Sequence, residues 1–184
     1  IIKVKSTVER MNYLIESVLD ISSIEAGKIE LKNELIDLFS IVNESVSLFS
    51  IKAFEKNIHL SVSKPDFLAK VTGDSVRIRE VIDNLISNGI KYTYPDGFVR
   101  ISFFIDGEFL VTSISDNGQG MSKDDLSNLF HDYRKVNTKP TAGEKSTGFG
   151  LVIAKKIIEA HNGFLWAESE KNQGSTFYFS LPME

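Results

Sequence analysis

Two strand-forming runs, Phe98 to Ile105 and Phe109 to Ser115, are joined by Asp106-Gly107, and this arrangement constrains the fold more than any other feature. Asp-Gly suits a tight hairpin, whose turn needs residues that tolerate unusual backbone angles. The two runs should therefore pair antiparallel. Phe164 to Ser169 and Ser175 to Leu181 close the chain as a second hairpin. Ile58 to Ser63 alternates as a strand, with Ile58, Leu60 and Val62 on one side, and Glu34 to Leu38 is a short strand candidate. Strands that occur mainly in hairpins predict a mixed, mostly antiparallel sheet, with helices covering one face. The expected class is α+β, a two-layer sandwich with a long N-terminal helix.

The helices are read from apolar stripes. Leu38 to Lys56 carries Ile41, Val42, Val46, Phe49 and Ala53 on one side. Asp74 can cap a helix running to about Lys91. A short helix is expected over Lys123 to Phe130 and an apolar-rich one over Gly148 to Asn162. Between them, His131 to Thr147 is irregular, with Pro140 and Gly143; so long a loop in a compact domain is usually functional or mobile. At the N-terminus, Val4, Met11 and Val18 recur every seven residues, with Leu14 and Ile21 at the second core position. Thr7 interrupts that seam, and Gly27 is a plausible stop. This helix fits packing on its own domain as well as half of a helical hairpin or dimer seam. The expected boundary divides the chain into residues 1–30 and 31–184.

Composition narrows the class. The 184 residues include 21 Lys and Arg against 25 Asp and Glu, a net charge of -4, which argues against a general nucleic-acid binder. With no cysteine there is neither a disulfide framework nor a thiolate metal site. No apolar run approaches the ~18 residues of a membrane helix. Because the first residue is Ile1, a fragment of a longer parent is expected, so any membrane anchor would belong to absent segments.

Three stretches carry the candidate chemistry. On the helix from Asp74, the residues Glu80, Asn84, Ser87, Asn88 and Lys91 fall together opposite the apolar side. Two Asn one turn apart are poor helix formers, so either the surface is merely polar or something requires their amide oxygens. Asp116-Asn117-Gly118-Gln119-Gly120-Met121 directly follows a strand. There a carboxylate could accept from an exocyclic amine, and glycines allow positive φ and close backbone approach; an ordinary Gly-rich turn reads the same. Ser146-Thr147-Gly148-Phe149-Gly150-Leu151 opens a helix, where backbone N–H groups make a phosphate site, with Lys145 and Lys135 nearby. The alternative is a capped start with glycines for packing. It matches neither a P-loop nor a dinucleotide fingerprint. His59, His131 and His161 show no metal-ligand spacing, and His161 near a helix C-terminus would suit a cation.

The order and spacing of these motifs, from about Leu35 to Leu181, resembles the catalytic domain of sensor histidine kinases. This domain belongs to the ATPase superfamily shared with DNA gyrase, the Hsp90 chaperones and MutL. The preceding Asp20-Ile-Ser-Ser-Ile-Glu-Ala-Gly-Lys-Ile looks like the end of the second dimerisation-hairpin helix and its exit linker. The resemblance identifies Glu80 to Thr93 as the N box. It implies that Asn88 is the Mg²⁺ ligand, that Asn84 supports the phosphates of ATP, that Lys91 pairs with them, and that Tyr92 stacks on the adenine. Asp116 would bind the adenine amino group, with Gly118 and Gly120 shaping the pocket floor. Phe130 and Tyr133 fall where the F box places aromatics at the base of a mobile ATP lid, and Lys135 where many members have an arginine reaching the γ-phosphate. Gly148 and Gly150 would line the triphosphate, with Thr147 and Leu151 in the same cofactor site, and Gly174-Ser175-Thr176-Phe177 resembles the final glycine motif.

Some positions depart from the family pattern. Phe149 replaces the usual leucine, Asn172 stands where glycine is common, and Arg134-Lys135 shuffle the F box. These bear on the lid more than on ATP binding. No histidine matches the phosphoacceptor motif. Gyrase-like relatives have a water-activating glutamate four residues before the metal asparagine; here it is Asn84, a poor base. The expectation is therefore a protein-histidine kinase module, cytoplasmic, with ATP and Mg²⁺ as cofactors. It would pass phosphate to a histidine outside this chain, and from there to a response-regulator receiver. The parent would be a homodimer, with the phosphoacceptor hairpin supplied by itself or in trans. A degenerate nucleotide-binding scaffold and an ATP-driven clamp are the alternatives.

Overall fold

The computed structural model describes residues 31–130, 140–141 and 150–183. Among them, seven strands and four helices follow in order: β1 (Glu34–Asp37), α1 (Leu38–Glu55), β2 (His59–Val62), β3 (Lys70–Gly73), α2 (Ser75–Tyr92), β4 (Phe98–Asp106), β5 (Phe109–Asp116), α3 (Lys123–Ser127), α4 (Gly150–Ala160), β6 (Phe164–Glu170) and β7 (Gly174–Pro182). The heptad-patterned stretch Lys3 to Ala26 and the expected 30/31 boundary lie outside the described residues.

Both hairpins form. β4 and β5 pair antiparallel from Val99 with Asp116 to Asp106 with Phe109. The turn is one residue later than expected, because Asp106 still pairs. Gly107 is the first loop residue and takes φ +58, as a type II′ turn requires at that position. β6 and β7 pair from Phe164 with Ser180 to Glu170 with Gly174. The five-stranded sheet runs β2-β4-β5-β7-β6, with only β2 and β4 parallel. β3, which the sequence reading lacked, pairs with β1 in a separate two-stranded sheet.

The pleat sorts the side chains. Val99 and Ile101, Leu110 and Ile114, and Phe177, Phe179 and Leu181 are buried on one face. They share a core with Ile78, Ile82, Leu85 and Ile86 of α2 and Ile153, Ile157 and Ile158 of α4. Each such side chain contributes roughly 1.5–3 kcal/mol through burial. The other face presents Arg100, Ser115, Thr176 and Tyr178, with Trp166 stacked on Tyr178 at 5.1 Å. Among the described residues the helices thus cover one face, and α2 packs between α1 and α4.

The helix ends explain the order of elements. Asp37 caps α1 by accepting from the N–H groups of Phe39 and Ser40, and Asn57 ends it at φ +58. Asp74 caps α2, with Oδ1 accepting from Val76 and Arg77, each at 3.1 Å, while Oδ2 accepts from the Lys32 N–H. His161 does not act as a surface cation. It is buried, Nε2 accepts from the Asp74 N–H at 3.0 Å, and Nδ1 donates to the Ile157 carbonyl at 2.7 Å. A ring nitrogen that accepts carries no proton, so this neutral imidazole ties the end of α4 to the start of α2. α3 stops at Ser127, short of the expected Phe130.

Candidate functional site

α2 is the spine of the site. Its apolar stripe fixes its rotation on the sheet, and that rotation puts Asn84, Asn88 and Lys91 on one shared face. Asn88 Nδ2 donates to Asn84 Oδ1 at 2.9 Å. The bond orients both amides, leaving Asn88 Oδ1 and Asn84 Nδ2 for other partners. The start of α4 closes on this pair: a Cβ added at Gly150 would lie 2.0 Å from Asn84 Nδ2. A side chain there would push the Asn84 amide aside, so glycine lets the α4 N-terminus come near with that amide in place. Leu151, the next residue, is half-buried against the core.

Asp116 stands at the end of β5, on the helix side of the sheet. Its cross-strand partner Val99 packs under Gly89, where an added Cβ would meet Val99 Cγ1 at 3.1 Å. The carboxylate is buried, and Oδ1 accepts from the N–H groups of Gly118 at 2.8 Å and Ser175 at 3.3 Å. Burial raises its pKa to about 6 against the lowering effect of those two bonds. Tyr92, half-buried at the end of α2, meets the same loop: a Cβ at Gly118 would lie 2.3 Å from the Tyr92 carbonyl oxygen. Gly118 therefore serves close approach and not positive φ. Gly120 has the positive φ, +60, and lies against the β6–β7 turn, 1.9 Å from the Glu170 carbonyl for an added Cβ.

The structure thus brings Asn84, Asn88 and Gly150 together, and Tyr92, Asp116 and Gly118 together where α2 ends against the loop after β5. Gly120 braces the loop from behind. Lys135, Tyr133, Thr147, Gly148 and Phe149 lie outside the described residues. Ser175, quoted in the sequence only within a glycine motif, proves to be a direct partner of Asp116. Lys56 and Thr141, which carried no sequence signal, donate to carbonyls at the end of α2. No group of three or more metal-ligating His, Cys, Asp or Glu occurs among the described residues. No helix there is long and apolar enough to cross a membrane.

A sheet covered on one face by helices, with an Asn-bearing helix facing a buried strand-end Asp, defines a recognisable class. The chain belongs to the family of histidine kinase-, DNA gyrase B- and HSP90-like ATPases, which it matches over residues 73–184. It is 31% identical to sensor histidine kinase WalK of Bacillus subtilis, over 95% of this chain and 29% of that one. The catalytic domain of histidine kinase ThkA superposes with a TM-score of 0.71 at 28% identity, covering 82% of this chain and 95% of that domain. Full-length ShkA in complex with AMPPNP gives 0.81 at 26% identity, over 96% of this chain and 36% of that one. The chain spans less than half the length of the first curated relatives it matches.

Proposed function

We propose that this chain is the ATP-binding catalytic module of a two-component sensor histidine kinase. It would transfer the γ-phosphoryl group of MgATP to a histidine elsewhere. The observation that carries this reading is Asp116: a buried carboxylate with Oδ1 held by two backbone N–H groups and Oδ2 left to accept from the adenine amino group. Tyr92 beside it supplies a ring for stacking on the base. Asn88 and Lys91, further along the same face of α2, would meet the phosphates. Lys135, Thr147 and Gly148 would complete that end, as the family resemblance implies.

The residues present fit Mg²⁺. Its preferred ligands are oxygens, and it keeps waters, so the Asn88 amide oxygen plus phosphate oxygens suffices. Bound there, the ion would neutralise charge on the triphosphate. Asn84 would serve by fixing the Asn88 amide with its oxygen outward. It is also no general base, which favours holding ATP for in-line transfer over hydrolysis. Residues 1–30 would be the second helix and linker of a dimerisation hairpin, and 31–184 the catalytic domain. The parent would be a homodimer with a response-regulator receiver as its partner. A cytoplasmic site for this module fits ATP as cofactor.

Calorimetric titration of the chain with MgATP, with Asp116→Asn as control, tests this reading. Binding in the micromolar range that the variant lacks supports it. A folded chain without affinity for MgATP overturns it.

A further inference from the structure

The last turn of α2 carries Lys91 and Tyr92, and its carbonyls have no partners further along their own helix. Three distant parts of the chain supply donors. Lys56 Nζ, just past α1, donates to the carbonyls of Ile90 at 2.9 Å and Lys91 at 3.0 Å. The Gln119 N–H donates to the Tyr92 carbonyl at 3.2 Å. Thr141 supplies two donors from between α3 and α4. Its N–H donates to the Lys91 carbonyl at 3.1 Å. Its Oγ1 lies 2.7 Å from the Thr93 carbonyl and 3.1 Å from that of Lys91. One hydroxyl proton serves one acceptor best, and the shorter contact is to Thr93.

Helix ends fray unless held, and the last turn of α2 is where the base is expected to stack. A cation at a helix C-terminus is also favourable on its own account, which Lys56 supplies. We propose that Thr141, together with Lys56, is a positioning residue for the nucleotide: it holds the end of α2 so that Lys91 and Tyr92 are fixed before the ligand arrives. The proposal rests on the nucleotide-binding reading above. It adds that a residue between α3 and α4 acts on the adenine side of the site through the backbone of α2.

The test is the dissociation constant for MgATP of the full chain and of Thr141→Val, Thr141→Ser, Lys56→Met and Lys56→Arg. It is measured by calorimetry at a temperature where every variant is folded. Under that condition a loss of global stability alone leaves the constant unchanged, because the folded fraction stays near one. Thr141→Val keeps the size and the N–H but removes the hydroxyl. It should weaken binding about fivefold, the size one hydrogen bond can transmit, and Thr141→Ser should restore it. Lys56→Met should weaken binding similarly, and Lys56→Arg should not. If Thr141→Val binds like the wild type, the proposal fails and the nucleotide reading stands. If Thr141→Ser is as weak as the valine variant, the methyl group and not the hydroxyl matters, and the proposal fails. A wild-type chain that does not bind MgATP removes both.

Discussion

Burial lifts the Asp116 carboxyl from the ordinary 3.8 to about 6, although the N–H groups of Gly118 and Ser175 pull the other way. Between those two values the folded chain holds a proton that the unfolded chain has lost. Stability therefore falls as pH rises from about 4 to 6 and stays lower above it. Nucleotide affinity has the opposite sign, since Oδ1 already accepts two N–H groups and a proton on Oδ2 would turn the oxygen offered to the amino group into a donor. MgATP affinity should fall as pH drops below about 6, in a calorimetric pH series. Asp116→Asn relieves the buried charge while keeping an oxygen for the two N–H groups. It should stabilise the free chain at pH 7.5 by up to about 3 kcal/mol in urea unfolding, while abolishing MgATP binding. A destabilised variant would show that the carboxylate holds the loop beyond what an amide can. Asn84 makes a second case. If it orients Asn88, Asn84→Ala should raise the half-saturating Mg²⁺ on the order of tenfold and weaken Mn²⁺ binding seen by electron paramagnetic resonance. ATP binding in EDTA should change less than about twofold, far below the single-hydrogen-bond effect expected of a direct phosphate contact. An equal loss in EDTA would return Asn84 to supporting the phosphates directly.

At the scale of elements, α2 separates stability from function along its length. Asp74 caps its start and Asn88 lies 14 residues on, roughly 21 Å at the helix rise. Asp74→Ala should cost about 0.5–2 kcal/mol by loss of the cap, read as a lower thermal midpoint. MgATP affinity measured on the folded chain should stay within about twofold. A large loss of affinity would mean that the cap sets the register of the whole helix. The same helix shows what the sequence could reveal. Its stripe, its Asp74 cap and its Asn face were legible because each depends on neighbours three or four residues apart. The β4–β5 hairpin was legible for the same reason, being closed by a two-residue loop. β3 was not: Lys70 to Gly73 is too short to show alternation, and its partner β1 lies more than thirty residues away. The role of His161 was misread because its acceptor bond comes from Asp74, 87 positions earlier. Thr141 was silent for a like reason, since its acceptors lie 48 and 50 positions away. Of the site, residue types were legible, and partners made by tertiary contact were not.

For the whole molecule, ligand binding and phosphotransfer come apart. Nucleotide that binds only the folded chain stabilises it by about 2.7 kcal/mol at a hundredfold excess over the dissociation constant. For a chain of this size that is a rise of roughly 5–10 °C in thermal midpoint, which Asp116→Asn should lack despite starting higher. Transfer needs more, because the in-line displacement requires a histidine nitrogen presented to the γ-phosphoryl group. His161 has both ring nitrogens bonded inside the core, to Asp74 and Ile157. His59, on β2 at one edge of the sheet, and His131 both lie in no phosphoacceptor-type sequence. The chain incubated with γ-labelled MgATP should therefore acquire no acid-labile, base-stable phosphate. Adding a separate helical hairpin that carries a His-Glu-x-x-Arg segment should give label on the hairpin alone. Label on this chain in the absence of any hairpin would sink the reading of it as a catalytic module acting on a histidine elsewhere. Label on neither, from a chain that binds MgATP, would point to a missing docking contact between module and hairpin. That contact would then be sought by joining the hairpin covalently ahead of Ile1 and repeating the assay.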